Sequence, residues 1–143
     1  MSKNAASQGR YRKRIDDNDP LCLIDMIEEL NNHFNKYNGM IDSKIGHIIT
    51  YNFPGSSIQP HQDDYGALQM RMNIIIEKDE MSGNPIIGGL LYKINQNCGW
   101  VFSPSSIVHG TTKLMQGERI NVSLGWNYKN VEDYLNAFIS ISS

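Results

Sequence analysis

The stretch YNFPGSSIQPHQDDYG, residues 51–66, decides how this chain is interpreted. Pro54 restricts the residue before it, and Gly55 supplies backbone angles that other residues avoid, so the pair predicts a turn. His61 and Asp63 follow two positions apart. Because alternate side chains of a strand lie on one face, the strand after this turn is predicted to present an imidazole and a carboxylate together.

Short β-rich runs surround this stretch from Lys44 onward, with Gly, Asn, Ser and Pro between them. They read IGHIITYNF, SIQPHQD, LQMRMNIIIE, PIIGGLLYKI, GWVFSP, SIVHGTTKL and ERINVSLGWNY. Strands at such close intervals favour a mainly β fold, either a barrel or a jelly roll, over alternating βαβ units.

A helix is predicted on each side of the β-rich region. DPLCLIDMIEELNNHFNKYNG has apolar residues at helical spacing, with Asp19 as the expected N-cap, Pro20 as the first helical residue and Gly39 as the stop. Asn130 is the expected cap of a short C-terminal helix, whose predicted apolar face is Val131, Tyr134, Leu135 and Phe138.

Length and composition predict one domain, residues 19–143, behind a flexible basic arm, residues 1–18, that contains GRYRKR. The arm is expected to be solvated, with nucleic acid or an acidic partner as the alternative role. A net charge of −2 excludes a global field that attracts nucleic acid. Two cysteines form no disulfide framework, and Cys22 is expected to be buried. The chain lacks a long apolar run, so we expect a soluble, cytoplasmic or otherwise intracellular protein without a membrane partner.

An imidazole and a carboxylate on one strand suit a divalent first-row metal, but a third ligand is needed. His109, in SPSSIVHGTT, is the best candidate because it follows a turn signal and precedes the last strand. His47 lies within an alternating strand and His33 beside a helical stripe, so both are interpreted as structural. Two histidines and one carboxylate are the facial triad of non-haem Fe(II) oxygenases, which leaves coordination positions open.

Arg119 lies ten residues beyond His109, in GERINVSLGW. On this strand Arg119, Asn121 and Ser123 are predicted to share one face, while Ile120, Val122 and Leu124 share the other. An arginine that points into a small barrel needs an anionic partner, because an unpaired buried charge is costly. A dicarboxylate co-substrate would supply that partner, since a guanidinium matches a carboxylate in a planar fork.

With these residues in place, the chain resembles the Fe(II)/2-oxoglutarate-dependent dioxygenases, which fold as a double-stranded β-helix. The resemblance covers about residues 45–126 and depends on His61-x-Asp63, then His109, then Arg119. GGLLY and GWVFSPSSIVHG are similar to segments of the prolyl-hydroxylase branch. PGSSIQPHQD and RINVSLG also resemble patterns of the AlkB-type nucleic-acid dealkylases, although Gly125 stands where that branch has a final arginine.

The resemblance implies a ligand set and a reaction. His61, Asp63 and His109 would bind Fe(II), and Arg119 would pair with the distal carboxylate of 2-oxoglutarate. Tyr51 would help to hold that carboxylate, with Asn52 as the fallback if the register differs by one residue, and Ser123 would add a hydroxyl. The enzyme would consume O2 and release succinate and CO2, with ascorbate as a supporting reductant; no separate general base is implied.

For the substrate, the resemblance favours a protein or peptide side chain, as in prolyl hydroxylases, with nucleic acid as the alternative. Substrate contacts are expected at the open end of the barrel, from Asp64, Tyr65, Arg71 and Trp126. The hypothesis from a different class is a non-catalytic, cupin-like binding module, although cupins usually present a His-x-His pair where this chain has Asp63.

Overall fold

The computed structural model describes residues 9–63 and 68–142, within which lie ten strands and two helices. The strands are β1 (Arg10–Arg14), β2 (Met40–Ile41), β3 (Ile48–Asn52), β4 (Ile58–His61), β5 (Leu68–Glu77), β6 (Pro85–Ile87), β7 (Leu90–Leu91), β8 (Gly99–Phe102), β9 (His109–Thr111) and β10 (Arg119–Tyr128). The helices are α1 (Leu21–Asn35) and α2 (Val131–Ser142). The mainly β class predicted from the sequence is therefore confirmed.

The described strands form two antiparallel sheets. The larger sheet has the order β1-β3-β10-β5-β8, with β2 beside the end of β10, and the smaller sheet has the order β4-β9-β6-β7. Apart from β6 and β7, neighbours in both sheets come from distant parts of the sequence, as β4 and β9 do. This order brings the turn at Pro54 and Gly55 and the segment around His109 to the same sheet.

Strand β10 separates the core from a polar interior, as its alternating sequence predicts. Its apolar residues belong to the main hydrophobic cluster: Ile120, Val122, Leu124, Trp126 and Tyr128. Its polar residues Arg119, Asn121 and Ser123 are also buried, but they line a cavity on the opposite face of the sheet. One strand therefore builds both the core and one wall of a polar site.

Helix α1 covers the apolar face of the larger sheet. Its Phe34 is 1% exposed, and its ring lies 4.4 Å from that of Trp126. The expected N-cap at Asp19 was wrong. Pro20 has extended backbone angles immediately before the helix, and the Asp19 carboxylate instead accepts hydrogen bonds from Lys13 Nζ and from the Asp16 N–H. The positive-φ residue after the helix is Asn38, not the expected Gly39.

Helix α2 begins as predicted, because Asn130 Oδ1 accepts the Asp133 N–H at 2.9 Å. The predicted apolar face is only half correct. Tyr134 and Phe138 pack against the core cluster, whereas Val131 and Leu135 are 57% and 50% exposed. Neither described helix is long and apolar enough to cross a membrane.

Part of the expected flexible arm is a strand. Residues 10–14 pair with the whole of β3, from Arg10 opposite Asn52 to Arg14 opposite Ile48. The physical reason is the alternation in RYRKR, where Tyr11 contacts the ring of Tyr51 at 5.8 Å while the arginines lie on the other face. Residues 1–8 lie outside the described part of the chain.

Two smaller expectations also differ from the structure. PIIGGLLYKI holds a hairpin of β6 and β7 in place of one strand, because Gly88 and Gly89 have positive φ values of 60° and 80° between them. Cys22 was expected to be buried, but it lies on the exposed side of α1.

Candidate metal centre and active-site cavity

Two histidines meet across neighbouring strands of the smaller sheet. His61 ends β4 and His109 begins β9, and the two residues are direct partners in the antiparallel register. Directly opposite residues place their side chains on the same face, a few ångströms apart. The two imidazole rings accordingly have centroids 4.4 Å apart.

Asp63 joins the two histidines two residues after β4. Its backbone N–H donates to the Pro104 carbonyl at 2.9 Å, which fixes the chain beyond the strand. Its carboxylate oxygens lie 3.1 Å from His61 Nε2 and 3.7 Å from His109 Nε2. One ligand atom from each residue lies within 4.8 Å of the others, so the structure brings all three predicted ligands together.

Hydrogen bonds to the backbone fix the tautomer of both imidazoles. His61 Nδ1 lies 2.8 Å from the Gln59 carbonyl oxygen, and His109 Nδ1 lies 2.9 Å from the Ile107 carbonyl oxygen. A carbonyl can only accept, so each Nδ1 carries a proton, and Nε2 is the ring nitrogen that a metal would bind. Metal-binding histidines use this arrangement, in which the second ring nitrogen donates to a backbone or carboxylate oxygen.

The donor set fits a divalent first-row metal such as Fe(II). Two neutral imidazole nitrogens and one carboxylate are the ligands of the facial triad, and three ligands leave positions for small molecules. The side chains of His109 and Asp63 are mostly buried, whereas that of His61 is 43% exposed, so the site opens to one side. Phe102 supports the arrangement with its ring edge against His109, at a centroid distance of 4.9 Å.

The three ligands lie on the wall of a cavity of about 230 Å³ between the two sheets. The larger sheet contributes its polar face, including Thr50, Asn73 and Asn121, and the smaller sheet contributes Thr111 and the ligand histidines. The volume is below the roughly 300–1,000 Å³ of sites for drug-sized ligands. It therefore suits a small co-substrate and a single group of a larger molecule.

Arg119 is a buried cation in this cavity. It is 5% exposed, its Nη1 donates to the Gly83 carbonyl at 3.0 Å, and its Nε has no hydrogen-bond partner. Within residues 9–63 and 68–142, no carboxylate forms an ion pair with it. Burial, and after it the positive charge of Arg10, lowers the pKa of Arg119 to about 10.

Arg71 lies on the same wall, but its charge is already neutralised. Its Nη2 lies 3.0 Å from Asp42 Oδ2 and donates to the Gly46 carbonyl, while Nη1 donates to Ser123 Oγ at 2.8 Å. The expectation that Arg71 contacts substrate is therefore revised: the residue reaches the cavity, but it acts as a fixed part of the wall. Ser123, which was expected to contact 2-oxoglutarate, accepts that hydrogen bond and keeps its own O–H as a donor.

Tyr51 does not point into the cavity. On β3, Ile48 and Thr50 line the cavity, so Tyr51 lies on the opposite face, where it packs against the core cluster. Tyr51, the residue preferred for the carboxylate of 2-oxoglutarate, therefore lies outside the cavity. Asn52, the fallback, is two residues beyond Thr50 and therefore lies on the cavity-facing side of β3. It is 2% exposed and pairs with Arg119 in the register of β3 and β10.

Trp126 was also assigned wrongly to the substrate surface. It is fully buried on the core face of β10, and its Nε1 donates to Asn31 Oδ1 at 3.0 Å. His47 completes this structural network, because its Nε2 contacts the same oxygen and its Nδ1 accepts the Gly125 N–H. The other two expected substrate residues, Asp64 and Tyr65, lie outside the described residues.

Two arginines and a tryptophan are among the cavity residues that the sequence interpretation missed. Arg10 and Arg12 enter from β1, and Trp100 enters from β8. The signal for the two arginines was present, since RYRKR places arginine at every second position, as a strand with one basic face would. The segment was instead assigned to a flexible arm because of its charge and its position near the start of the chain.

No protein-family model matches the chain, and neither does any curated protein. Solved structures do match. The chain is 12% identical to the viral collagen prolyl hydroxylase of Paramecium bursaria Chlorella virus 1 in its 2OG complex, with 90% of this chain and 84% of that chain covered and a TM-score of 0.63. It is 13% identical to a Pseudomonas putida prolyl-4-hydroxylase, with 92% of this chain and 78% of that chain covered and a TM-score of 0.61.

A 2OG-Fe(II) oxygenase family oxidoreductase from Burkholderia pseudomallei is 14% identical, with 85% of this chain and 67% of that chain covered and a TM-score of 0.63. A predicted oxalate decarboxylase also matches, with a TM-score of 0.53. At these identities the likeness establishes a shared fold and leaves the reaction to be argued from the site.

Proposed function

We propose that the protein is an Fe(II)- and 2-oxoglutarate-dependent oxygenase with the double-stranded β-helix fold, which hydroxylates a C–H bond of its substrate. The observation that carries the proposal is the unpaired guanidinium of Arg119 in the same cavity as His61, Asp63 and His109. A buried cation without a counter-ion is costly, and a dicarboxylate co-substrate supplies the missing charge. The solved oxygenase structures of similar fold support the same assignment.

Each residue has a defined part in this proposal. His61, Asp63 and His109 would hold Fe(II), which supplies the activation of O2 when it is bound. Arg119 would bind the distal carboxylate of 2-oxoglutarate, and Asn52 lies beside it in the register. In the balanced reaction, one substrate C–H bond, one 2-oxoglutarate and one O2 would give the C–OH product, succinate and CO2. The chain itself contributes the ligand geometry and the charge match.

For the substrate, we favour a protein or peptide side chain, as in the prolyl hydroxylases that share the fold. The alternative of nucleic-acid dealkylation has one structural argument against it. A side chain at Gly125, where the dealkylase pattern has arginine, would place its Cβ 2.7 Å from Arg71 Nη2. Because Arg71 is fixed by its ion pair with Asp42, the arginine of that pattern does not fit here.

The test is succinate release from 2-oxoglutarate by purified protein with Fe(II), O2 and ascorbate, measured with and without prolyl peptides. We expect turnover in the unsubstituted protein, none in His61→Ala or Asp63→Ala, and normal turnover in His33→Ala. His33 is the matched control, because it lies on α1 with its Nε2 bonded to Ser140 Oγ and away from the cavity.

Two outcomes would contradict the proposal. Metal binding at the three ligands without any succinate release would favour the non-catalytic, cupin-like module. Formaldehyde release from methylated oligonucleotides, with no product from prolyl peptides, would favour the dealkylase activity over the hydroxylase activity.

A further inference from the structure

Strand β1 carries a row of guanidiniums toward the proposed active site. Arg10, Arg12 and Arg14 alternate with Tyr11 and Lys13, and β1 pairs with β3 so that Arg12 lies opposite Thr50, which lines the cavity. Arg10 and Arg12 line the same cavity as the metal ligands. Since a strand rises about 3.3 Å per residue, these two arginines are about 6.6 Å apart along it.

The basic residues of β1 differ in whether their charged groups form ion pairs or hydrogen bonds. Lys13, on the other face, is bound to Asp19 at 2.8 Å, and Arg14 donates to the Lys44 carbonyl without lining the cavity. Arg10 and Arg12 have no ion pair within residues 9–63 and 68–142, and Arg10 Nε is buried without a hydrogen-bond partner. Burial, and after it Arg12, lowers the pKa of Arg10, and the Asp63 carboxylate, which lies beyond ion-pair distance, offsets part of that decrease.

The charges of the cavity do not balance even with its proposed occupants. Fe(II) and 2-oxoglutarate carry opposite charges of equal size and cancel. Arg71 is neutralised by Asp42, so among the described lining residues three guanidiniums, of Arg10, Arg12 and Arg119, face one carboxylate, that of Asp63. With Arg119 assigned to the co-substrate, the excess positive charge lies at Arg10 and Arg12, beside the metal ligands.

We propose that Arg10 and Arg12 form a recognition site for carboxylates of the substrate, and that the substrate is an acidic polypeptide segment whose reacting residue lies next to acidic side chains. This inference rests on the proposed oxygenase function. Guanidiniums bind carboxylates in a planar, two-bond fork. An extended acidic segment repeats its side chains on one side every second residue, at a spacing that matches the two arginines.

Nucleic acid has the same charge but fits the observations less well. A nucleic-acid site commonly neutralises about 6–10 phosphates. This site offers two guanidiniums that no described carboxylate pairs with, in a chain with a net charge of −2. An acidic peptide needs only those two contacts, so it is the class that the arrangement favours.

The experiment measures binding by fluorescence anisotropy, with Fe(II) and 2-oxoglutarate present under nitrogen so that no turnover occurs. The probes are fluorescein-labelled (Glu-Pro)5, the neutral analogue (Gln-Pro)5 and a ten-nucleotide oligothymidine. We expect the protein to prefer the glutamate peptide, and added salt to weaken that preference. We expect the double variant Arg10→Gln/Arg12→Gln to lose about tenfold or more of that affinity, since each lost contact is a hydrogen bond between charged groups.

Arg14→Gln is the matched control, and it should bind the glutamate peptide normally. Arg12→Gln alone keeps the inference testable if the double variant fails to fold, because Arg12 is exposed. Binding of 2-oxoglutarate, measured separately by calorimetry, should be unchanged in all three variants. This second measurement separates the substrate site from the co-substrate site.

Several results would overturn the inference. Equal affinity for the glutamate and glutamine peptides would show that the arginines do not recognise carboxylates. Tighter binding of the oligothymidine would assign them to nucleic acid, and loss of 2-oxoglutarate binding in the double variant would assign them to the co-substrate. If the protein binds the glutamate peptide through these arginines but never releases succinate, the proposed function fails while the recognition site stands.

Discussion

Replacing each of two buried arginines by methionine is predicted to change stability in opposite directions. Arg119 and Arg71 line one cavity and are 5% and 4% exposed, but of the described carboxylates Asp42 pairs with Arg71 and none pairs with Arg119. Methionine keeps much of the volume and removes the charge. Comparing the two variants therefore separates the cost of an unpaired buried charge from the effect of losing a side chain of this size.

The magnitude for Arg119→Met follows from its pKa. Burial, and after it Arg10, lowers that pKa from 12.5 to about 10. A difference of that size corresponds to a penalty on the charged form of about 3 kcal/mol. Losing the hydrogen bond to the Gly83 carbonyl costs about 1 kcal/mol. We therefore expect Arg119→Met to raise the free energy of unfolding by about 2 kcal/mol, or the Tm by about 6 °C.

Arg71→Met should have the opposite effect. It leaves the Asp42 carboxylate, which is 1% exposed, without its cation. Breaking a buried pair by removing one partner costs about 3–5 kcal/mol. Urea unfolding followed by tryptophan fluorescence measures both variants, in the absence of metal and 2-oxoglutarate.

Adding the co-substrate should reverse the order of stability, so that the unsubstituted protein becomes more stable than Arg119→Met. At a 2-oxoglutarate concentration about a hundred times its Kd, with Fe(II) under nitrogen, the unsubstituted protein should gain about 2.7 kcal/mol. Arg119→Met should gain much less, because it lacks the carboxylate partner. The reasoning is refuted if Arg119→Met is less stable than the parent without ligand, or if both proteins gain equally with ligand.

Three further predictions concern residues whose position the fold has fixed. Burial, and after it Arg71, lowers the pKa of His47 to about 4, below its value in the unfolded chain. The free energy of unfolding should therefore fall by about 3 kcal/mol as the pH decreases from 7 to 4. In urea titrations, His47→Gln should remove most of that decrease. Tyr51→Phe should leave the KM for 2-oxoglutarate within about twofold, whereas Asn52→Ala should raise it; the reverse pattern in steady-state kinetics would restore the tyrosine to the site. Trp126→Ala should cost about 3–5 kcal/mol in thermal unfolding, since the ring is fully buried, and a loss of activity without loss of stability would contradict its assignment to the core.

The alternation of residues within single strands was readable from the sequence. Period-two patterning assigned Arg119 and Ser123 to one face of β10 and Val122 and Leu124 to the other, and the structure has the same division. The spacing of His61 and Asp63 likewise placed an imidazole and a carboxylate on one side, where the structure has their atoms 3.1 Å apart. Local geometry dictates these features, so a local pattern predicts them.

The register of β3 shows where sequence reasoning fails. Shifting a strand by one residue exchanges its two faces, so an error of one position moved Tyr51 from the core into the predicted site. The same limit applies to RYRKR. Its alternation is that of a strand, but only the presence of β3 beside it, with Tyr51 opposite Tyr11, makes the segment part of a sheet.

The sequence alone therefore determined the kinds of side chain that meet: two imidazoles, a carboxylate and an arginine. The tertiary structure alone decided which of those charges are satisfied. Asp42 is far from Arg71 in sequence but lies 3.0 Å from it in space, whereas no described carboxylate reaches Arg119 or Arg10. Pairing between distant charges depends on how the sheets pack, which no local pattern encodes, and it is this pairing that leaves the cavity positively charged.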